Sequence, residues 1–135
     1  MKVLVDTCIW SLAFRRREQR DPLLIQELSA LIRELRVQMI GPIRQELLSG
    51  IPSFAQFEKL KLKLQAFPDL PLRSEDHENA AEFLNNCYKK GIQGSNTDFL
   101  ICALSFRHQM PIFTIDKDFQ HFKKYLPISI YKIKK

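Results

Sequence analysis

The sequence has 135 residues, 45% of them hydrophobic, which suits one compact core and excludes a disordered chain. The 21 lysines and arginines exceed the 15 acidic residues, and the net charge of +6 favours a polyanionic partner such as nucleic acid. Three cysteines without paired spacing argue against disulfides and zinc, and Asp6 interrupts the N-terminal apolar run, so we expect a soluble, cytoplasmic protein without signal peptide or membrane span.

The first half of the chain alternates short apolar runs with helical patterns. Asp21 followed by Pro22 is typical of a helix N-cap and first helical residue, and leucines then recur at helical spacing. The predicted elements are a strand at residues 2–6, a helix at 8–15, a helix at 22–36, a strand at 37–40 and a helix from Gly41 to near Gly50.

The second half continues the alternation. Ser53 is predicted to cap one helix and Ser74 another, which should bury Tyr88, while Asn96 or Thr97 should cap a third. The predicted elements are a helix at residues 53–67, a short strand at 70–73, helices at 74–88 and 97–108, a strand at 112–115, a short helix through Phe119 and Phe122, and a strand at 128–130. This order predicts one α/β domain over residues 1–135, with a mostly parallel sheet flanked by helices on both faces.

Four acidic residues should meet at one edge of this sheet. Asp6 and Asp116 each follow a predicted strand, and the carboxyl ends of parallel strands share one edge. Asp98 lies in the first turn of a helix that begins at that edge, and Glu46 lies about one turn into another. Asp98, Asp116 and Glu46 have ordinary alternative roles, as a first-turn acid, a turn opener and a solvated helix residue. Asp6 is the hardest to explain in this way, because it interrupts an apolar strand with no nearby cation in sequence.

Together, four carboxylates would repel one another unless a cation compensates their charge. Oxygen ligands without histidine or cysteine favour Mg²⁺, with Mn²⁺ possible, over zinc. A divalent metal beside a basic surface suits phosphodiester hydrolysis, because it activates water and stabilises the leaving oxygen. His77, His108 and His121 are scattered and are expected at the surface.

Several motifs resemble those of PIN-domain ribonucleases, most closely the VapC toxins of toxin–antitoxin pairs. The resemblance covers nearly the whole chain, and its motifs are Val3-Leu4-Val5-Asp6-Thr7, Glu46-Leu47 with Gly50, Asn96-Thr97-Asp98 with Ala103, and Thr114-Ile115-Asp116-Lys117-Asp118-Phe119. It implies a single PIN-like domain and a metal-dependent endoribonuclease.

The resemblance also implies roles for single residues. Asp6, Glu46, Asp98 and Asp116 would form the catalytic set. Asp6, Asp98 and Asp116 would hold the metal, with Glu46 positioning water or a second ion. Asp118 is a further candidate that could instead cap the helix at Phe119. Three hydroxyls, which could otherwise serve as caps and in turns, would orient the carboxylates: Thr7, Thr97 and Thr114.

The implied partners are RNA, a cognate antitoxin and a second copy of the chain. The helices at 22–36 and 53–67 could supply a partner surface, although their inward faces should be core. Arginines 15–17 and the lysines at 132–135 could steer RNA or simply aid solubility. Trp10 could stack on a base, but a core position beside the first strand is the stronger expectation.

Two other functions fit parts of the pattern. A haloacid-dehalogenase-like phosphatase also begins with an aspartate after a strand, but it needs a second aspartate where this chain has Cys8. A degenerate PIN-like module would bind RNA or a partner without cleaving, and the presence of all four acids disfavours it.

Overall fold

The computed structural model describes residues 1–14 and 21–133, which form an α/β fold. None of the described helices combines the length and the apolar character that a membrane crossing requires. The elements are β1 (Val3–Val5), α1 (Thr7–Phe14), α2 (Pro22–Arg33), β2 (Val37–Gln38), α3 (Gly41–Leu48), α4 (Phe54–Leu64), α5 (Ser74–Tyr88), α6 (Asn96–His108), β3 (Ile112–Phe113) and α7 (Asp118–Lys123).

The sheet is parallel, and β1 lies between β2 and β3. Val3 pairs with Val37, and Val5 pairs with Phe113. Side chains alternate between the two faces of a strand, yet Val3, Leu4 and Val5 are each 0% exposed. Both faces of β1 are therefore covered, which confirms the predicted parallel sheet between layers of helices.

Local capping explains where two helices begin. The Asp21 carboxylate accepts hydrogen bonds from the backbone N–H groups of Leu23 and Leu24 at 3.1 and 3.4 Å. The Ser53 hydroxyl accepts one from Gln56 at 3.3 Å. Both caps are confirmed, because each satisfies N–H groups that have no partner within the helix.

Two of the predicted strands do not form as strands. Residues 70–73 form no strand, and the nearest pairing is a single parallel bridge between Met39 and Asp69. Pro71 has no N–H to donate to a ladder, which limits pairing there. Residues 128–130 are likewise reduced to one parallel bridge, between Ile112 and Ile130.

Two predicted caps and one burial are also wrong. Ser74 is the first residue of α5, whose N-cap is Arg73, and the N-cap of α6 is Ser95 rather than Asn96 or Thr97. Tyr88 is 68% exposed, because it follows Cys87 of the buried stripe and points about 100° away from it around the helix.

Trp10 and two of the cysteines, Cys87 and Cys102, lie in the buried core. Trp10 is 0% exposed and donates its indole N–H to the Val5 carbonyl at 3.0 Å, so it has no free face for a base. Cys87 and Cys102 are buried free thiols, and burial raises the pKa of both.

A buried ion pair joins α5 to α6. Asp76 is 0% exposed, and its carboxylate accepts from Arg107 Nε at 2.5 Å and from Nη2 at 2.8 Å. It also accepts from the Arg73 backbone N–H at 2.8 Å, at the start of α5. The Arg107 guanidinium holds the pKa of Asp76 below its ordinary value. This bidentate contact fixes the packing of α6, the helix that carries Asp98.

Candidate functional site

A pocket of about 680 Å³ lies at the carboxyl edge of the sheet. Helices α1 and α3 supply uncharged polar groups to its lining, among them Ser11 and Gln45. The structure brings all four predicted acids into this one lining: Asp6, Glu46, Asp98 and Asp116.

Asp6 follows β1 directly and is the most enclosed of the four, at 6% exposure. Its backbone N–H donates to the Phe113 carbonyl at 2.9 Å, which continues the pairing of β1 with β3. Its carboxylate accepts from the Thr7 backbone N–H and from the Thr114 hydroxyl, each at 2.7 Å. Burial raises the pKa of Asp6 despite these hydrogen bonds, and the Asp98 charge raises it further.

Asp98 is the third residue of α6 and takes part in a reciprocal cap. Its backbone N–H donates to the Ser95 hydroxyl at 3.1 Å, and its Oδ2 accepts from the Ser95 backbone N–H at 3.0 Å. Burial raises the pKa of Asp98, and the charges of Asp116 and Glu46 add to this. The cap fixes the side chain, while the neighbouring carboxylates oppose its ionisation.

Glu46 is exposed on α3 and is tied to the first strand through Thr7. The Thr7 hydroxyl donates to Glu46 Oε1 at 2.6 Å, while the Thr7 backbone N–H donates to Asp6. One threonine therefore sets the spacing between Asp6 and Glu46, which supports the predicted orienting role of Thr7.

Asp116 follows β3 after two further residues and begins the turn into α7. Its backbone N–H donates to the Thr114 hydroxyl at 3.0 Å, and its Oδ1 accepts from the Asp118 N–H at 2.9 Å. Thr114 thus contacts both Asp6 and Asp116. Asp118 is the first residue of α7 and does not line the pocket, and the N-cap is Lys117, so the predicted cap at Asp118 is wrong.

Sequence reasoning missed Cys8 and Ser95. Cys8 lines the pocket, with its sulfur 3.5 Å from both Asp6 Oδ2 and the Thr114 hydroxyl. Burial raises the pKa of this thiol. Ser95 was detectable, because Ser-x-x-Asp ahead of an apolar run is a capping-box pattern. Thr97 lines the pocket, but no hydrogen bond joins its hydroxyl to a described carboxylate.

The donor set fits a hard divalent cation. The pocket lining, within the described part of the chain, contains four carboxylates and no lysine or arginine. Burial and neighbouring carboxylates therefore destabilise the ionised forms of Asp6 and Asp98, and a bound cation would stabilise those ionised forms. Among residues 1–14 and 21–133, no group of three or more histidine, cysteine, aspartate or glutamate side chains is already arranged to hold a metal ion. The ligand set Asp6, Asp98 and Asp116 stays a prediction. His77, His108 and His121 are exposed, as expected.

The sequence pattern that defines the PIN domain family matches residues 3–125. No curated protein matches the chain.

The fold is shared with chains of known complexes. A chain in a FitAcB structure from Neisseria gonorrhoeae has a TM-score of 0.77 and 19% identity, with 96% of each chain covered. A second similar chain belongs to VapBC2 from Rickettsia felis, a structure bound to a DNA fragment from their promoter. It has a TM-score of 0.77 and 17% identity, and the match covers 99% of this chain and 100% of that one. A chain of a toxin–antitoxin complex from Klebsiella pneumoniae has a TM-score of 0.64 and 17% identity, and the match covers 86% of this chain and 88% of that one.

Proposed function

The chain belongs to the PIN domain family, and we propose that it is a metal-dependent endoribonuclease that acts as the toxin of a toxin–antitoxin pair. PIN domains are generally nucleases, which supports a hydrolase. The observation that carries the proposal is the enclosed Asp6 carboxylate, which faces three further acids in a pocket lining with no described lysine or arginine. A hydrolase that uses a carboxylate-held cation explains that arrangement.

In this proposal each acid has a distinct task. Asp6, Asp98 and Asp116 would hold Mg²⁺ or Mn²⁺, which supplies an activated water and charge stabilisation at the leaving oxygen. Thr114 keeps Asp6 and Asp116 at a set spacing through its two hydrogen bonds. Glu46 accepts from Thr7 with one oxygen, which leaves the other to orient a water molecule or a second ion.

RNA is the proposed substrate and an antitoxin the proposed partner. The net charge of +6 supports attraction of a polyanion, although residues 15–17, 134 and 135 lie outside the described structure. The toxin–antitoxin complex among the similar structures supports an antitoxin partner. Helix α4 exposes Phe54 and Leu62, at 77% and 69%, as surface for such a partner or a second copy. We propose residues 1–135 as one nuclease domain, a homodimer and a cytoplasmic location.

Expression tests the toxin role. We expect the wild-type chain to arrest bacterial growth and Asp98→Asn to relieve the arrest, because Asp98 is one of the proposed ligands. Mapping the ends of cellular RNA after brief expression would identify the target. Harmless expression of a protein that cleaves RNA in vitro would refute the toxin role and leave the nuclease. Absence of cleavage with either metal would favour a module that binds without cutting.

Ser95→Ala should impair the site beyond its effect on stability. Ser53→Ala is the matched control, because each serine caps a helix through its hydroxyl and only Ser95 exchanges hydrogen bonds with Asp98. Both variants should lose about 1 kcal/mol in urea unfolding. Only Ser95→Ala should weaken the apparent Mg²⁺ affinity in cleavage assays, by about 10-fold or more. Equal Mg²⁺ dependence in the two variants would refute a positioning role for Ser95.

A further inference from the structure

A basic surface with exposed aromatic rings lies apart from the pocket lining. Residues 88–90 read Tyr-Lys-Lys and residues 123–125 read Lys-Lys-Tyr, and all six are exposed. Lys90 Nζ lies 5.8 Å from the centroid of the Tyr125 ring, so the two segments adjoin. We call these six residues the lysine–tyrosine patch.

Close packing beneath the patch holds its two halves together. A Cβ added at Gly94 would lie 2.6 Å from the Phe122 ring, so the backbone after α5 rests directly on α7. The Phe99 and Phe122 rings also lie 4.8 Å apart, between centroids, and Phe122 is 0% exposed. The segments that carry the patch are therefore packed against the hydrophobic core.

No salt bridge among the described residues neutralises the lysines of the patch. Neither segment contains an acidic residue. Four exposed lysines and two exposed tyrosines thus lie on these two adjoining segments.

Short segments of chain join the patch to the wall of the pocket that carries Asp98 and Asp116. From Lys90 the chain reaches Thr97 of the pocket lining within seven residues. From Asp116 it reaches Lys123 at the end of α7, a helix of six residues and about 9 Å. Phe99, next to Asp98, also packs on Phe122, next to Lys123, so a strand with its scissile phosphate in the pocket has a short path to the patch.

The electrostatics of the pocket require an attractive surface of this kind. Its described lining carries four carboxylates and no lysine or arginine, so a polyanion gains little attraction there. We propose that the lysine–tyrosine patch binds the phosphate backbone of single-stranded RNA beside the cleavage pocket, with tyrosine rings stacking on its bases. This inference rests on the proposed RNA substrate.

The ordinary alternative is that the lysines only complement helix dipoles. Lys123 lies in the last turn of α7, where a positive charge stabilises the helix. Lys63 likewise lies in the last turn of α4, and Lys59 is another exposed lysine of that helix. The double variant Lys59→Gln/Lys63→Gln removes the same charge, including one last-turn lysine, and is therefore the control for Lys90→Gln/Lys123→Gln.

Binding of a fluorescein-labelled oligouridine in EDTA, measured over a series of salt concentrations, tests the patch without cleavage. For Lys90→Gln/Lys123→Gln we expect weaker binding at low salt and a slope of log affinity against log salt that is shallower by about 1.4, or about 0.7 for each lysine. The control should keep the wild-type slope. Equal slopes in all three proteins would overturn the proposal, as would a lowered melting temperature with unchanged binding.

Tyr88→Ala tests the stacking part. We expect it to weaken oligouridine binding by about tenfold at every salt concentration without changing the slope. Phe106→Ala removes a partly exposed ring outside the patch and should have no effect. Unchanged oligouridine binding by Tyr88→Ala would refute stacking of the Tyr88 ring on RNA bases. Patch-dependent binding by a protein that cleaves no RNA would support the patch and refute the nuclease, so the two failures are distinguishable.

Discussion

Asp6→Asn should reduce Mg²⁺-dependent RNA cleavage by more than about 100-fold, because even residues that only support metal ligands typically contribute 10- to 100-fold. The substitution removes the charge of the most enclosed carboxylate in the pocket and keeps its size. Its Oδ1 can still accept from the Thr7 N–H, so the fold should persist. The measurement is the initial cleavage rate of a labelled RNA over a range of Mg²⁺ concentrations.

The control for this variant is Asp21→Asn, which removes one negative charge elsewhere. Asp21 caps α2, and asparagine caps a helix about as well as aspartate. Cleavage by Asp21→Asn should therefore match the wild type. Undiminished cleavage by Asp6→Asn, in a protein preparation free of wild-type enzyme, would refute the metal mechanism.

The pH dependence of stability provides a second readout for Asp6. Burial raises its pKa in the folded protein, so ionisation of Asp6 opposes folding as pH rises above the ordinary value of about 3.9. Without metal, Asp6→Asn should therefore melt at a higher temperature than the wild type at neutral pH. The difference should vanish at a pH low enough to protonate Asp6 in both states. A bound divalent ion should raise the melting temperature of the wild type more than that of the variant.

Asp76→Asn should lower the free energy of unfolding by about 3–5 kcal/mol, the usual cost of breaking a buried ion pair by removing one partner. Asp76 is 0% exposed and is held by two hydrogen bonds from Arg107, whose charge the variant leaves without its partner. Urea unfolding measures the loss. Glu75→Gln, at a mostly exposed pair with Arg73, should cost less than about 1 kcal/mol.

Acid should reduce the difference between Asp76→Asn and the wild type. Arg107 lowers the pKa of Asp76 in the folded state, so the pair contributes its full stability above the ordinary carboxyl pKa of about 3.9. That contribution is lost as pH falls through the lowered, folded-state value. The two unfolding curves should therefore converge in strong acid, and a constant difference down to that range would contradict this assignment.

The sequence predicted which strand ends and helix starts carry the site, because these features depend on neighbouring residues. An apolar run that stops at Asp6, Asp21 ahead of Pro22, and the strand signal before Asp116 are each read from neighbouring residues. Parallel strands then place their carboxyl ends at one edge, which is why the four acids were expected together. The PIN resemblance, confirmed over residues 3–125, follows from the order of the same motifs.

What the sequence by itself determined was the α/β order of elements, the family and the acids that line one pocket. Only the tertiary structure decided the contacts between distant segments: Thr7 with Glu46, Thr114 with Asp6, Asp76 with Arg107, and Lys90 with Tyr125. It also showed that residues 70–73 form no strand and reduced the strand at 128–130 to a single bridge, between Ile112 and Ile130. The reason is physical: periodicity and capping depend on a few adjacent residues, whereas the orientation of a carboxylate depends on donors brought to it from up to 108 positions away.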